Sequence, residues 1–311
     1  MTIEAVGTAV GEALIVLFLP LVLMSVINRV KARFAGRTGP PWLQPLYDIL
    51  KLLRKGSVYS RTTTWVFRAG PVVGLAALLT AATMVPVVSN RALLGFQGDV
   101  IVIVYLFALA RMFTMLAALD TGSAFEGMGA AREATFGMMA EPALFLSMLV
   151  LILSTGSLQL GTMVGASLSA QWTSVGSAML LTSAALLIVL LTEACRIPVD
   201  DPNTHIELTM IHEVMVLDHS GPDFAFITYG AALKFTLLGS LLVHSIFPHP
   251  DWPLHVLIGA RLCEFLGLAI LVGVIESTMA RLRLTKIPQL LAGATVLSGL
   301  AVVLVLSRRG A

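Results

Sequence analysis

Eight apolar runs, each about 20 residues long, leave this chain one solvent and one way to satisfy its backbone. They fall at roughly 7–27, 70–88, 100–119, 135–153, 175–191, 224–247, 254–275 and 288–306. Hydrocarbon offers no partner to a free N–H or C=O, so a spanning segment must satisfy itself as a helix. The alternating ten-residue strands of a membrane barrel are absent from the sequence. Of the 311 residues, 57% are hydrophobic and 12% are charged, against roughly 25% charged in a soluble domain. The expected fold is all-α: a polytopic membrane protein of about eight transmembrane helices, in a single integral membrane domain over 1–311.

The distribution of the basic residues predicts the topology. The connection after the first run holds Arg29, Lys31, Arg33, Arg37, Lys51, Arg54, Lys55, Arg61 and Arg68. Loops rich in Lys and Arg stay cytoplasmic, which assigns loops of about 28–69, 120–134, 193–223 and 277–287 to the inside. Those loops also carry Arg132, Arg196, Arg281, Arg283 and Lys286, whereas the outside carries only Arg91, Arg308 and Arg309. Eight spans then put both termini outside, in a multi-pass protein of the cell (plasma or inner) membrane. Glu4 and Glu12 precede or enter the first run and bases follow it. A cleaved signal peptide has the reverse order, so the run is expected to remain as an anchor.

Within the first loop, Trp42 to Lys55 has helical periodicity. Trp42, Leu43, Leu46, Ile49, Leu50, Leu52 and Leu53 share one side; Gln44, Asp48, Lys51, Arg54 and Lys55 share the other. Pro45 sits in the first turn, where a missing N–H costs nothing. An amphipathic helix in the interface plane is predicted, with a basic face toward the cytoplasm. Two uses fit it: a solvated lipid anchor, or a docking surface for a peripheral subunit.

Ionisable residues in or near the spans are expensive and point to function. Glu141 precedes Pro142 inside the fourth run, and a proline there frees a carbonyl and kinks the helix. Glu141 is therefore expected to be buried, either as a proton carrier or as a partner of loosened backbone or of an Arg. Glu193 closes the fifth run three residues before Arg196, so an interfacial salt bridge competes with a proton-path role. Lys234 lies well inside the sixth run with no evident local partner, while Arg261 and Glu264, spaced i and i+3, suit a structural pair. His205, His212 and His219 recur every seven residues. On one helix, heptad neighbours stand about 10 Å apart, too far for one metal, so a relay or a structural role is expected. Asp200, Glu207, Glu213 and Asp218 continue an acidic trail through that loop.

Cys195 and Cys263 are the only cysteines and form no Cys-x-x-Cys. A zinc or iron–sulfur site wants about four such ligands, so no metal or cluster of the chain's own is expected. No phosphate-cradling loop, nucleophile constellation or nucleic-acid face is present either. No internal repeat is evident, which argues against a transporter with inverted halves.

Two segments resemble a known family. Arg37-Thr-Gly-Pro-Pro-Trp-Leu-Gln-Pro-Leu-Tyr-Asp-Ile-Leu-Lys is similar to the first cytoplasmic loop of the family that contains the quinone-site membrane subunit of respiratory complex I. Glu193 with Arg196-Ile-Pro-Val-Asp200 and Glu207-Leu is similar to that family's third cytoplasmic loop, and Gly129-Ala-Ala-Arg132 followed by Glu141-Pro to its entry into the fourth span. Complex I members carry further acids at the positions held here by Asn203 and His205, in the wall of the quinone chamber. In that respect the chain resembles the membrane-anchor branch of group 4, energy-converting NiFe hydrogenases, of the formate hydrogenlyase and hydrogenase-4 type.

The resemblance implies a non-catalytic subunit that docks a peripheral module and carries a proton path. The expected path comprises Glu141, Glu193, Asp200, Glu207, Glu213, Asp218, His212 and Lys234. The expected docking residues are Arg33, Arg37, Gln44, Asp48, Lys51, Arg54, Arg132 and Arg196. It implies as partners the large and small hydrogenase subunits, an iron–sulfur subunit and antiporter-like membrane subunits. The NiFe centre and iron–sulfur clusters would lie on those partners and no cofactor on this chain. The alternatives are the quinone-site subunit of a complex I-like dehydrogenase and a stand-alone ion transporter.

Overall fold

Every apolar run becomes a helix, and most helices extend past both ends of the run that predicts them, although α3 stops at Met84, short of the end of its run. In the computed structural model, which describes residues 3–200, 210–249 and 252–309, the elements are α1 (Ile3–Phe34), α2 (Gln44–Leu53), α3 (Trp65–Met84), α4 (Asp99–Asp120), α5 (Ala124–Thr155), α6 (Leu160–Met163), α7 (Ala166–Glu193), α8 (His212–Met215), α9 (Gly221–Ile246), α10 (Leu254–Thr278) and α11 (Ile287–Arg309). Eight of them are long and apolar enough to cross a membrane, so the chain is an all-α, multi-pass membrane protein. Hydropathy marks the depth of hydrocarbon and not where a helix ends. The expected 120–134 loop accordingly shrinks to residues 121–123, because α5 begins at Ala124. At about 1.5 Å per residue its 32 residues reach some 48 Å, well beyond a hydrocarbon core of about 30 Å.

Packing follows burial. α9 is the most enclosed span, with 67% of its apolar window buried, and α7 follows at 61%. α9 touches α1, α3 and α7, while α11 packs on α5 and α7, α3 on α4, and α1 on α10. A polar staple joins the ends of α3 and α4: Asp120 accepts from the Thr64 N–H at 2.6 Å, the Thr64 hydroxyl at 2.8 Å and the Phe67 N–H at 3.2 Å. At the opposite end of the bundle Arg261, 0% exposed, donates to the Phe247 carbonyl and to Glu264, each at 2.9 Å. Glu264 also pairs with His249. The i, i+3 pair thus ties the α9–α10 connection to α10.

The amphipathic helix forms as α2, with Pro45 in its first turn and no residue fully buried. Its entry is pinned to α1 by Ser25, whose hydroxyl donates to the Trp42 carbonyl, and by Arg29, whose guanidinium lies 4.0 Å from the Trp42 ring centroid. The histidine heptad does not form one helix. α8 is a single turn containing His212, His219 lies past its end, and His205 lies outside the described residues.

Candidate functional site

Four helices converge an ion network inside the bundle. Arg111 of α4 donates to Glu193 of α7 at 3.0 Å and to Glu141 of α5 at 2.7 Å. Lys234 of α9 reaches the second oxygen of Glu193 at 2.6 Å. The side chains of Arg111, Glu193 and Lys234 are 7%, 5% and 11% exposed. An isolated charge there would cost several kcal/mol, and mutual pairing offsets that cost. Space for the guanidinium comes from Gly137, one α5 turn before Glu141. A Cβ on Gly137 would lie 1.8 Å from Arg111 Nη1, so any side chain there displaces the arginine.

Glu141 differs from expectation. Its side chain is 37% exposed, because Glu141 borders an open groove between α4 and α5. Of the roles open to it from sequence, pairing with an arginine is the one the geometry realises.

The alternative weighed for Glu193, a bridge to Arg196, gives way for a backbone reason. α7 ends at Glu193, and the Arg196 N–H returns to the Leu191 carbonyl at 2.8 Å while the Cys195 N–H bonds the Thr192 carbonyl at 3.1 Å. This is the Schellman closure, and it places Cys195, a residue with a side chain, at φ 51°, a conformation that costs roughly 1–2 kcal/mol. The reversal aims Arg196 away from Glu193. It pairs instead with Glu276 of α10 at 3.2 Å, and Glu276 also binds Lys31 of α1 at 2.7 Å. Arg196 is therefore an internal residue here and not an outward docking group. Arg132 likewise turns inward, donating to the Met210 carbonyl at 2.8 Å.

The acidic trail is dispersed. Asp200 is buried, pairs with Arg281 at 2.7 Å, and accepts from the backbone N–H groups of Ile211 and His212 at 3.3 and 3.0 Å. It thereby fixes the start of α8. Glu213 is half-buried and Asp218 exposed, and Glu207 lies outside the described residues. Cys195 and His212 border the same cavity as the ion network, one of about 70 Å³. Burial pushes the Cys195 thiol well above its usual range and holds the His212 imidazole below its own. A larger cavity of about 450 Å³ lies between α1, α2, α8 and α9, bordered by Met24, Asp48, Arg196 and His212.

The remaining expected docking residues lie where a partner can reach them. Arg33, Arg37, Asp48, Lys51 and Arg54 are exposed and Gln44 is half-buried, with Gln44 donating to Asp48 at 2.8 Å. Sequence reasoning left three participants out of the site: Arg111, Glu133 and Glu276. Glu133 is buried on α5 and borders the 70 Å³ cavity. A usable signal was Gly137, a helix-weakening residue between two intramembrane acids, which marks a close approach.

Residues 8–307 match the family described as NADH dehydrogenase. The chain is 34% identical to Escherichia coli (strain K12) formate hydrogenlyase subunit 4, over 89% of this chain and 91% of that one. It is 33% identical to hydrogenase-4 component C of the same organism, over 88% and 87%. An NADH-quinone oxidoreductase subunit of Anaplasma phagocytophilum (strain HZ) is 27% identical, over 76% and 73%. A chain in the solved structure of the membrane-bound sulfane sulfur reductase, an archaeal respiratory membrane complex, superposes with a TM-score of 0.80 at 20% identity. The match covers 94% of this chain and 98% of that one, and it concerns the fold.

Proposed function

This chain belongs to the NADH dehydrogenase family, and within it we propose that the chain is the membrane anchor and proton-coupling subunit of a multisubunit membrane-bound NiFe hydrogenase. The observation that carries the reading is the network of buried Arg111, Glu193 and Lys234, joined by the groove-facing Glu141, an arrangement that a passive anchor has no use for. The greater identity to formate hydrogenlyase subunit 4 and hydrogenase-4 component C than to the NADH-quinone oxidoreductase relative supports the hydrogenase branch. The exposed bases of α2 and its loop dock the peripheral module, whose large, small and iron–sulfur subunits carry the NiFe centre and the clusters. Antiporter-like subunits lie beside it in the membrane. Both termini face outward, the basic loops face the cytoplasm, and the host membrane is the cell (plasma or inner) membrane.

A second reading has one observation behind it. The cavity of about 450 Å³ beside Arg196 and His212 has the size of a small-molecule site, which suits a quinone. The two readings part in a co-purification. Affinity capture of this chain from mild detergent is expected to bring down a nickel-containing subunit, and reversal of Lys51 and Arg54 to Glu to release it while this chain still inserts. Capture of a complex without nickel but with quinone reductase activity would favour the second reading. A nickel subunit retained after the reversal would remove α2 from the docking surface.

A further inference from the structure

The ion-paired groups of the network already balance. Arg111 and Lys234 bring two positive charges, and Glu141 and Glu193 bring two negative ones. Glu133 is a fifth ionisable group with a different standing. It lies on α5 two turns before Glu141, is buried, and among the described residues makes no ion pair.

Its surroundings point in two directions. Glu133 borders the cavity of about 70 Å³ together with Arg111, Glu193 and Lys234. It also borders a second void of about 10 Å³ that reaches Asp200. A water needs roughly 10–15 Å³ of such space, so the first has room for a few molecules and the second is close to the size of one. Glu133 stands within electrostatic reach of Lys234, Glu193, Arg111 and Asp200. Cys195 and His212 complete the ionisable walls of the larger cavity, and Arg281 neutralises Asp200 from beyond the smaller one.

An ionised Glu133 would leave the buried cluster with one uncompensated negative charge, which a low-dielectric site resists. A protonated Glu133 leaves it neutral. Glu193 is clamped by two cations and Glu141 by one, so these two hold the geometry and have little freedom to exchange.

We propose that Glu133 is the proton-exchanging carboxyl of this subunit, linking water on the Asp200 side to water on the Glu193–Lys234 side. In each cycle one proton leaves Glu133 to the water beside Glu193 and one enters it from the water beside Asp200, so the carboxyl returns to its starting form. The proposal rests on the coupling function given above and names the residue that carries it out.

The test uses the assembled complex in sealed vesicles. Infrared difference spectra after a pH jump are expected to show the carbonyl stretch of a protonated carboxyl. That band is lost in Glu133→Gln and displaced in Glu133→Asp. Ion uptake per hydrogen turned over is lost in Glu133→Gln and partly kept in Glu133→Asp. An unchanged band or an unchanged uptake ratio in Glu133→Gln overturns the proposal. Should that variant fail to assemble, Glu133→Asp decides: a displaced band supports the proposal and an unmoved one refutes it. Hydrogen turnover by the wild-type complex with no ion uptake at all would overturn the coupling function alone, since the infrared assignment is still read independently.

Discussion

Lys234 and Glu193 form the shortest ion pair of the network, and a double-mutant cycle on them measures whether it exists as an energetic unit. The contact is 2.6 Å, with the two side chains 11% and 5% exposed. Removing one member of a buried pair costs about 3–5 kcal/mol because it strands the other. Here each survivor keeps a neighbour that carries the opposite sign or can take it up on ionising. Glu193 retains Arg111 at 3.0 Å, and Lys234 retains Glu133 within electrostatic reach. Lys234→Met and Glu193→Gln should therefore each fall at the lower edge, about 3 kcal/mol. The double variant removes both charges and leaves Arg111 with Glu141, so it should cost no more than either single change. The coupling is then about 3 kcal/mol, at the upper end of what contacting residues show. Unfolding of the full-length chain in mixed micelles, titrated with a denaturing detergent and followed by tryptophan fluorescence, provides the free energies. Costs that add to within about 0.5 kcal/mol would mean the two residues do not interact, and the network as described would be wrong.

Two further outcomes follow from local geometry. Gly137→Ala should displace the Arg111 guanidinium and lower stability by about 1–3 kcal/mol, the usual cost of overpacking; Gly127→Ala on the same helix, where the nearest atom is 3.9 Å away, should be nearly silent in the same micelle assay. His219 is stacked on Phe67 with centroids 4.0 Å apart, and burial lowers its pKa from 6.5 to about 4. Its fold-favoured form is neutral, so its contribution is complete above pH 6.5, falls as pH drops from 6.5 toward about 4, and levels off below. That interval corresponds to about 3 kcal/mol, and His219→Phe should flatten stability across it.

The fold was legible because hydrocarbon imposes so strong a rule. Apolar length located all eight spans, and one-sided charge located α2. What depends on local spacing also came through, as with Arg261 and Glu264, since i, i+3 neighbours meet on any helix. The site was harder. Arg111 and Glu193 are 82 positions apart, and Lys234 found its partner on another helix, which no periodicity reveals. The Glu193–Arg196 bridge, one of two readings open for Glu193, does not form because α7 stops at Glu193, so i, i+3 geometry no longer applies beyond it. The histidine heptad misled for the same reason: seven-residue spacing has meaning only where the helix continues, and α8 is one turn long. Glu141 was placed correctly within a span, but burial depends on which neighbours surround it, and its side chain borders an open groove.

The central claim is that the buried charges of this subunit move ions and do more than hold helices together. Glu193→Gln tests it most directly, because the amide keeps the shape of the side chain but removes the charge and one of the two oxygens that hold Arg111 and Lys234 on the wall of the Glu133 cavity. In inverted membrane vesicles containing the assembled complex, hydrogen turnover and ion uptake are recorded together. The account predicts that turnover persists and that uptake per hydrogen is lost. An uptake ratio equal to that of the wild type would contradict it and leave the network a purely structural role.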